Sequence, residues 1–199
     1  MMSTELITKL REMTGAGIMD CRNALKESSN DIEKACQWLR EKGMASAVKK
    51  AGRAAKQGLI YSYIHGNGTL GVLVEVNCET DFVAKTEDFQ SLVKEIAMQV
   101  AAVSPTYVSK DQVPSSIIEA EKEIYKAQLK EEGKPEKVWD KIIEGKIEKF
   151  YSQVCLYDQI YMRDMSGKET IRDLVTKAIA KIGENIVIKR FARFKLGEE

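Results

Sequence analysis

The stretch LIYSYIHGNGTLGVLVEVNC, residues 59–78, decides the fold. Both halves are rich in Ile, Val, Leu and Tyr, which suit a pleated, half-buried strand, and Asn67-Gly68 stands between them. Asn-Gly flanked by such runs is the strongest short-range hairpin signal, because the central residues of a tight turn need positive φ. Strands are therefore expected over Leu59–His65 and Leu70–Cys78. Alternation puts Val72, Val74 and Val76 on one face and Glu75 and Asn77 on the other. The same reading disposes of a rival motif. Gly66-Asn67-Gly68-Thr69-Leu70-Gly71 has the G-x-G-x-x-G spacing of a dinucleotide site, but such a site needs a strand leading into a helix that holds pyrophosphate. Both flanks here are strand-like, so the glycines serve a turn.

Directly after the hairpin comes Cys78-Glu79-Thr80-Asp81-Phe82-Val83-Ala84. An acid beside a large aromatic, where a strand gives way to a helix, suits intrusion into another molecule. The carboxylate can disturb a cation or a hydrogen-bond network while the ring enters an apolar crevice. Spacing alone leaves a blander reading open, with Phe82 a core residue and Asp81 the N-terminal cap of the next helix.

Upstream, Ser3 or Thr4 can cap a helix carrying Leu6, Ile7, Leu10 and Met13 on one face. Thr14-Gly15-Ala16-Gly17 breaks it, and a second helix runs from Ile18 to Lys26. Ser28-Ser29-Asn30-Asp31 offers caps for a third, with Ile32, Ala35, Cys36 and Leu39 at helical spacing, and Gly43 is expected to end it. Residues 1–45 thus read as a compact three-helix bundle of the ubiquitin-associated kind. Residues 46–57 read as a basic helical linker and 58–199 as an α+β core. Arg40, Lys42, Lys49, Lys50, Arg53 and Lys56 face a single acid, Glu41, between residues 40 and 56. That run is either a solvated linker or a local contact for phosphate or an acidic surface.

Downstream, Phe89, Leu92, Val93, Ile96 and Val100 line a helix from Glu87 that Ser104-Pro105 stops. A charged helix runs from Pro114 to Glu132, and Gly133-Lys134-Pro135 breaks it. The next carries Val138, Trp139, Ile142, Ile143, Ile147 and Phe150. Val154–Gln159 reads as a strand or extended segment. Thr170 can cap a helix with Ile171, Leu174, Val175, Ala178 and Ile182, stopped at Gly183, and Ile186–Leu196 alternates as a final strand. Helices and antiparallel strands in separate runs mean α+β, with a small antiparallel sheet packed by helices.

The 31 basic and 30 acidic side chains nearly cancel, so no global field drives the chain onto nucleic acid or an anionic membrane. Cys21, Cys36, Cys78 and Cys155 form no Cys-x-x-Cys pair and read as buried, reduced thiols. His65 is the only histidine, which argues against Ser-His-Asp catalysis or a histidine metal site. The chain is expected to be no enzyme and to need no cofactor or metal. Without a long apolar run, and with Glu5 and Glu12 near its start, it is expected in the cytoplasm.

Several ordered motifs resemble the elongation factor Ts family. They are Leu10-Arg11-Glu12-Met13-Thr14-Gly15-Ala16-Gly17-Ile18-Met19-Asp20-Cys21, Trp38-Leu39-Arg40-Glu41-Lys42-Gly43, and Lys49-Lys50-Ala51-Gly52-Arg53. Glu75-Val76-Asn77-Cys78-Glu79-Thr80-Asp81-Phe82-Val83-Ala84 carries that family's core signature, and Cys155-Leu156-Tyr157-Asp158-Gln159 and Arg190-Phe191-Ala192-Arg193-Phe194 follow in order. The resemblance implies a guanine nucleotide exchange factor for elongation factor Tu with bound GDP. It implies that Asp81 and Phe82, framed by Thr80 and Val83, press on the partner's Mg²⁺ site. It also implies a docking surface around Leu10, Met13, Thr14, Gly15, Ala16, Gly17, Met19 and Asp20. The chain is short, with no evident coiled-coil insertion. Shorter family members act as dimers, which leaves a homodimer open. The alternative is an RNA- or ribosome-binding module using residues 40–56.

Overall fold

The structure is a computed structural model that describes residues 4–198. The cap option at Ser3 and the extreme ends of the 1–45 and 58–199 segments lie outside the described residues. Among those residues, eight α-helices accompany a three-stranded antiparallel sheet of order β1-β2-β3, an α+β fold. The chain divides into two compact units. One takes in the chain up to Tyr61, with Glu75–Lys94 and Asp173–Ile188; the other takes in Ser62–Val74, Glu95–Arg172 and the chain from Lys189.

The first unit begins with the expected bundle: α1 (Thr4–Thr14), α2 (Ile18–Glu27) and α3 (Ile32–Lys50). Leu10, Cys21, Ala24, Leu25 and Ala35 are completely buried at its centre, with Leu6, Ile7, Ile32, Trp38 and Leu39 packed around them. Asp31 caps α3 by accepting from the Lys34 N–H at 3.1 Å. Contrary to expectation, α3 does not stop at Gly43 but continues to Lys50. Gly43 is buried, and a Cβ there would meet the Ala180 Cβ at 3.4 Å. Its missing side chain serves close helix packing, which outweighs the local weakness of glycine in a helix.

Strands β1 (Gln57–His65) and β2 (Leu70–Cys78) form the hairpin. Its turn takes four residues, 66–69. The positive φ angles fall on Gly66 (57°) and Gly68 (85°), so the glycines, and not Asn67, supply the left-handed positions. Gly58 has φ +142°, and a Cβ there would lie 2.1 Å from the Val76 carbonyl oxygen, so only glycine fits. Helix α4 (Asp81–Ala84) is one turn long, and α5 (Glu87–Val103) follows it. Helix α8 (Ile171–Ile182) ends at Gly183 (φ +91°), and β3 (Val187–Lys195) completes the sheet.

The second unit holds α6 (Ser115–Glu131) and α7 (Trp139–Val154). They make a short helical hairpin where no coiled-coil insertion was legible. It has its own core of Leu129, Ile143 and Ile147, flanked by Ile118, Tyr125, Trp139 and Ile142. The expected extended segment Val154–Gln159 is corrected. Val154 closes α7, Cys155 makes one parallel bridge to Tyr107, and Leu156–Asp158 is a 3-10 turn. Its backbone groups are satisfied locally: Leu156 N–H donates to the Tyr107 carbonyl (2.9 Å) and Tyr157 N–H to that of Val108 (3.0 Å). Gln99 and Gln159 are buried here and bonded to each other, and Gln99 also accepts from the Met162 N–H at 2.9 Å.

Candidate functional site

Thr80 is the N-cap of α4: its hydroxyl oxygen accepts from the Val83 N–H at 3.3 Å. Capping takes a short side chain in extended conformation, and Thr80 (φ −124°, ψ 155°) supplies it. Asp81 is therefore the first helical residue, where a carboxylate also faces the favourable end of the helix. Phe82 is 77% exposed and sits in no core, although such a ring is normally buried. The blander reading of the pair is corrected on both counts. Lys85, one turn on, donates to Asp81 at 2.7 Å, and this hydrogen bond is the main reason the Asp81 carboxyl lies below the ordinary carboxylate range. Thr86 donates to the Val83 carbonyl (2.7 Å) and accepts from the Phe89 N–H (3.3 Å), so α5 starts immediately beyond.

Two residues that sequence reasoning missed hold this turn from behind. Glu184 Oε2 accepts from the Glu79 and Thr80 N–H groups, each at 3.0 Å, and Oε1 accepts from the Thr80 hydroxyl at 2.6 Å. Reciprocally, the Glu79 carboxylate accepts from the Asn185 N–H at 2.6 Å. Asn185 is buried, and its amide donates to the Ala51 and Arg53 carbonyls at 3.4 and 2.8 Å. The sequence contains a weak signal for the pair, an acid and an amide between the Gly183 helix stop and the final strand. Their partners stand more than a hundred residues away.

The residues expected to dock fall on both sides of the bundle surface. Leu10 is completely buried and carries the bundle core; it presents nothing to solvent. Met13 and Met19 are 60% and 61% exposed, and Ile18 beside them is exposed too. Thr14 donates to the Leu10 carbonyl at 2.7 Å and accepts from the Ala16 N–H at 3.3 Å, closing the turn in which Gly15 has φ +66°. Gly17 is the N-cap of α2, and Asp20 takes a 2.6 Å hydrogen bond from Lys42. A cleft of about 850 Å³ opens beside them, lined by Met13, Asp20, Arg40, Met44 and Lys177 among others.

Half of the six cations in the basic run form ion pairs inside the chain. Arg40 pairs with Asp173 (3.1 Å), Lys42 with Asp20 (2.6 Å) and Arg53 with Glu79 (3.5 Å). His65 Nδ1 lies 2.9 Å from the Tyr63 hydroxyl. All four cysteines are free thiols, and burial raises the pKa of each. No group of three or more metal-ligating side chains occurs among the described residues, and no described helix is long and apolar enough to cross a membrane.

Fold and site together define an α+β protein that presents an exposed acid–aromatic turn from a braced backbone. The model of the elongation factor Ts family matches residues 6–168. The chain is 59% identical to elongation factor Ts of Caldanaerobacter subterraneus subsp. tengcongensis over 198 residues, covering all of this chain and 98% of that one. It is 57% identical to that of Thermoanaerobacter sp. strain X514, covering all of this chain and 96% of the relative. It is also 57% identical to that of Thermotoga neapolitana, covering 99% and 98%. The chain belongs to the elongation factor Ts family. Its role is that of a nucleotide exchange factor for elongation factor Tu in translation elongation.

Proposed function

We propose that the chain speeds GDP release by pressing Asp81 and Phe82, framed by Thr80 and Val83, against the Mg²⁺ site of elongation factor Tu. The observation that carries this reading is the 77% exposure of Phe82 on a capped, one-turn helix. An exposed aromatic gains most when a partner crevice desolvates it, the usual character of an interface anchor. Mg²⁺ bridges nucleotide phosphates and demands near-octahedral oxygen geometry, so small displacements of its surroundings weaken the bound nucleotide. Exchange factor and nucleotide then weaken each other's binding reciprocally. No covalent bond is made or broken, so the chain acts without being an enzyme, and its place is the cytoplasm.

The docking surface is the exposed part of the bundle. Met13, Met19, Ala16, Gly17 and Asp20 meet the partner, while Leu10 acts only by holding α1 in place. A homodimer is proposed on a separate observation. Ile64 and Leu73 of the hairpin and Phe194 of β3 are exposed apolar residues of the sheet within one unit, more than isolated surface apolar residues require. Light scattering tests it: a monomer mass at assay concentration overturns that part.

The test of the main proposal is release of labelled GDP from elongation factor Tu with catalytic amounts of this chain. Asp81→Ala combined with Phe82→Ala should reduce the acceleration by roughly tenfold or more, the size expected for losing one anchor. A wild-type rate for that variant overturns the wedge. The RNA- or ribosome-binding alternative predicts binding that falls steeply with salt; three of its six cations are already paired within the chain.

A further inference from the structure

We infer that Glu184 is a positioning residue for exchange, acting through Thr80 to hold Asp81 and Phe82 in the attitude the partner meets. This rests on the wedge proposed above. Phe82 projects into solvent, so no core packing orients its ring. Helix α4 is only four residues long and cannot stabilise itself. The backbone at Glu79–Thr80 must therefore set the direction of the turn, and it is gripped by one side chain. Glu184 divides its two oxygens between that backbone and the Thr80 hydroxyl, 104 residues away in sequence. The grip also fixes the hydroxyl rotor. With its O–H donating to Glu184 at 2.6 Å, the Thr80 oxygen offers a lone pair to the Val83 N–H. The cap that starts α4 is thus oriented by the carboxylate behind it.

The hold is reciprocal. Glu79 reaches back to the Asn185 N–H, and buried Asn185 binds the Ala51 and Arg53 carbonyls just beyond α3. The turn that carries the acid and the ring is fastened to the chain leaving the docking bundle. Fixing a projecting group before contact removes ordering that binding would otherwise have to supply. That advantage belongs to the step in which the wedge enters, and docking by the bundle does not depend on it.

The experiment measures maximal GDP release and half-saturating concentration for the full chain with elongation factor Tu and labelled GDP. Glu184→Ala should lower the maximal rate roughly tenfold or more, since its backbone and hydroxyl bonds go to a charged acceptor. The half-saturating concentration should stay within about twofold. Glu184→Gln, which can still accept from both backbone N–H groups, should give an intermediate rate. In the Asp81→Ala, Phe82→Ala background, adding Glu184→Ala should change nothing further, because a positioning residue has nothing left to position. An independent, additive loss in that background overturns the inference, as does a wild-type maximal rate for Glu184→Ala. Should Glu184→Ala melt below the assay temperature, Glu184→Gln carries the test. It takes away the carboxylate oxygen that accepts from the Thr80 hydroxyl while its remaining oxygen can accept from both backbone N–H groups; a reduced maximal rate supports the inference and a wild-type rate overturns it. The two readings fail separately. A fully active Asp81→Ala, Phe82→Ala variant defeats the wedge, whereas an inactive one beside a normal Glu184→Ala defeats only the positioning role.

Discussion

Lys85 Nζ lies 2.7 Å from the Asp81 carboxylate and 5.8 Å from the centroid of the Phe82 ring, so one cation attends both members of the acid–aromatic pair. The hydrogen bond favours ionised Asp81 and lowers its pKa. The sign follows: the interaction is complete above the unfolded carboxylate's pKa and is lost as pH falls through the lower folded value. Both side chains are largely exposed, so solvent screens the contribution to stability. The consequence is for the charge state of the wedge.

Exchange should therefore persist to a pH below the ordinary carboxylate range before its acid limb appears. Lys85→Met should move that limb upward, towards the range of a free aspartate. GDP release followed against pH, with intrinsic release subtracted at each point, checks this. Superimposable limbs for the two proteins would contradict the role given to Lys85.

Thiol chemistry should rank the cysteines by burial. Cys21, Cys78 and Cys155 are fully buried, and burial pushes the Cys155 thiol up to about 11. The thiolate is the reactive form, so a native-state alkylation course at pH 8 should label half-buried Cys36 first and Cys155 only on unfolding. Simultaneous labelling of all four in the native protein would refute the ranking.

Gly58→Ala should destabilise the hairpin by about 3 kcal/mol, the scale of a strained backbone plus a clash that must be relieved by strand movement. The added Cβ would stand 2.1 Å from a carbonyl oxygen. Gly52→Ala is the control: nothing lies within 4 Å, and its effect should stay below ~1 kcal/mol. Denaturant unfolding of the two variants distinguishes them.

Leu10→Ala should remove about 3 kcal/mol from the bundle by leaving a cavity in its centre. Amide exchange should accelerate in α1, α2 and α3 while β2 keeps its protection. In the exchange assay the half-saturating concentration should rise, since the damage lies in docking. A fall in maximal rate alone would place Leu10 elsewhere in the mechanism.

What could be read from the residues was what depends on near neighbours. Asn67-Gly68 announced the hairpin, and the run Ser28–Asp31, of which Asp31 is the cap, announced the start of α3, because turn and cap chemistry act over two to four positions. Gly43 misled for the opposite reason: its role is set by Ala180, and glycine's local helix weakness gave no hint of it. Val154–Gln159 looked extended because it opens on a short apolar run, which by itself does not distinguish a strand from a helix end. At the site, the sequence offered Asp81 as the cap, and the structure gives that place to Thr80, one residue earlier. The grip of Glu184 and Asn185 was illegible, because hydrogen bonds between distant segments leave no periodic trace in a sequence.

The α6–α7 hairpin seals its own small core with Leu129, Ile143 and Ile147, and its tip turns through Gly133, with Lys134 bonded back to Leu129 at 3.0 Å and to the Trp139 indole at 2.8 Å. Exposed loop tips are where chains best accept grafts. Residues 133–135 are accordingly the natural port for a fluorophore or affinity handle.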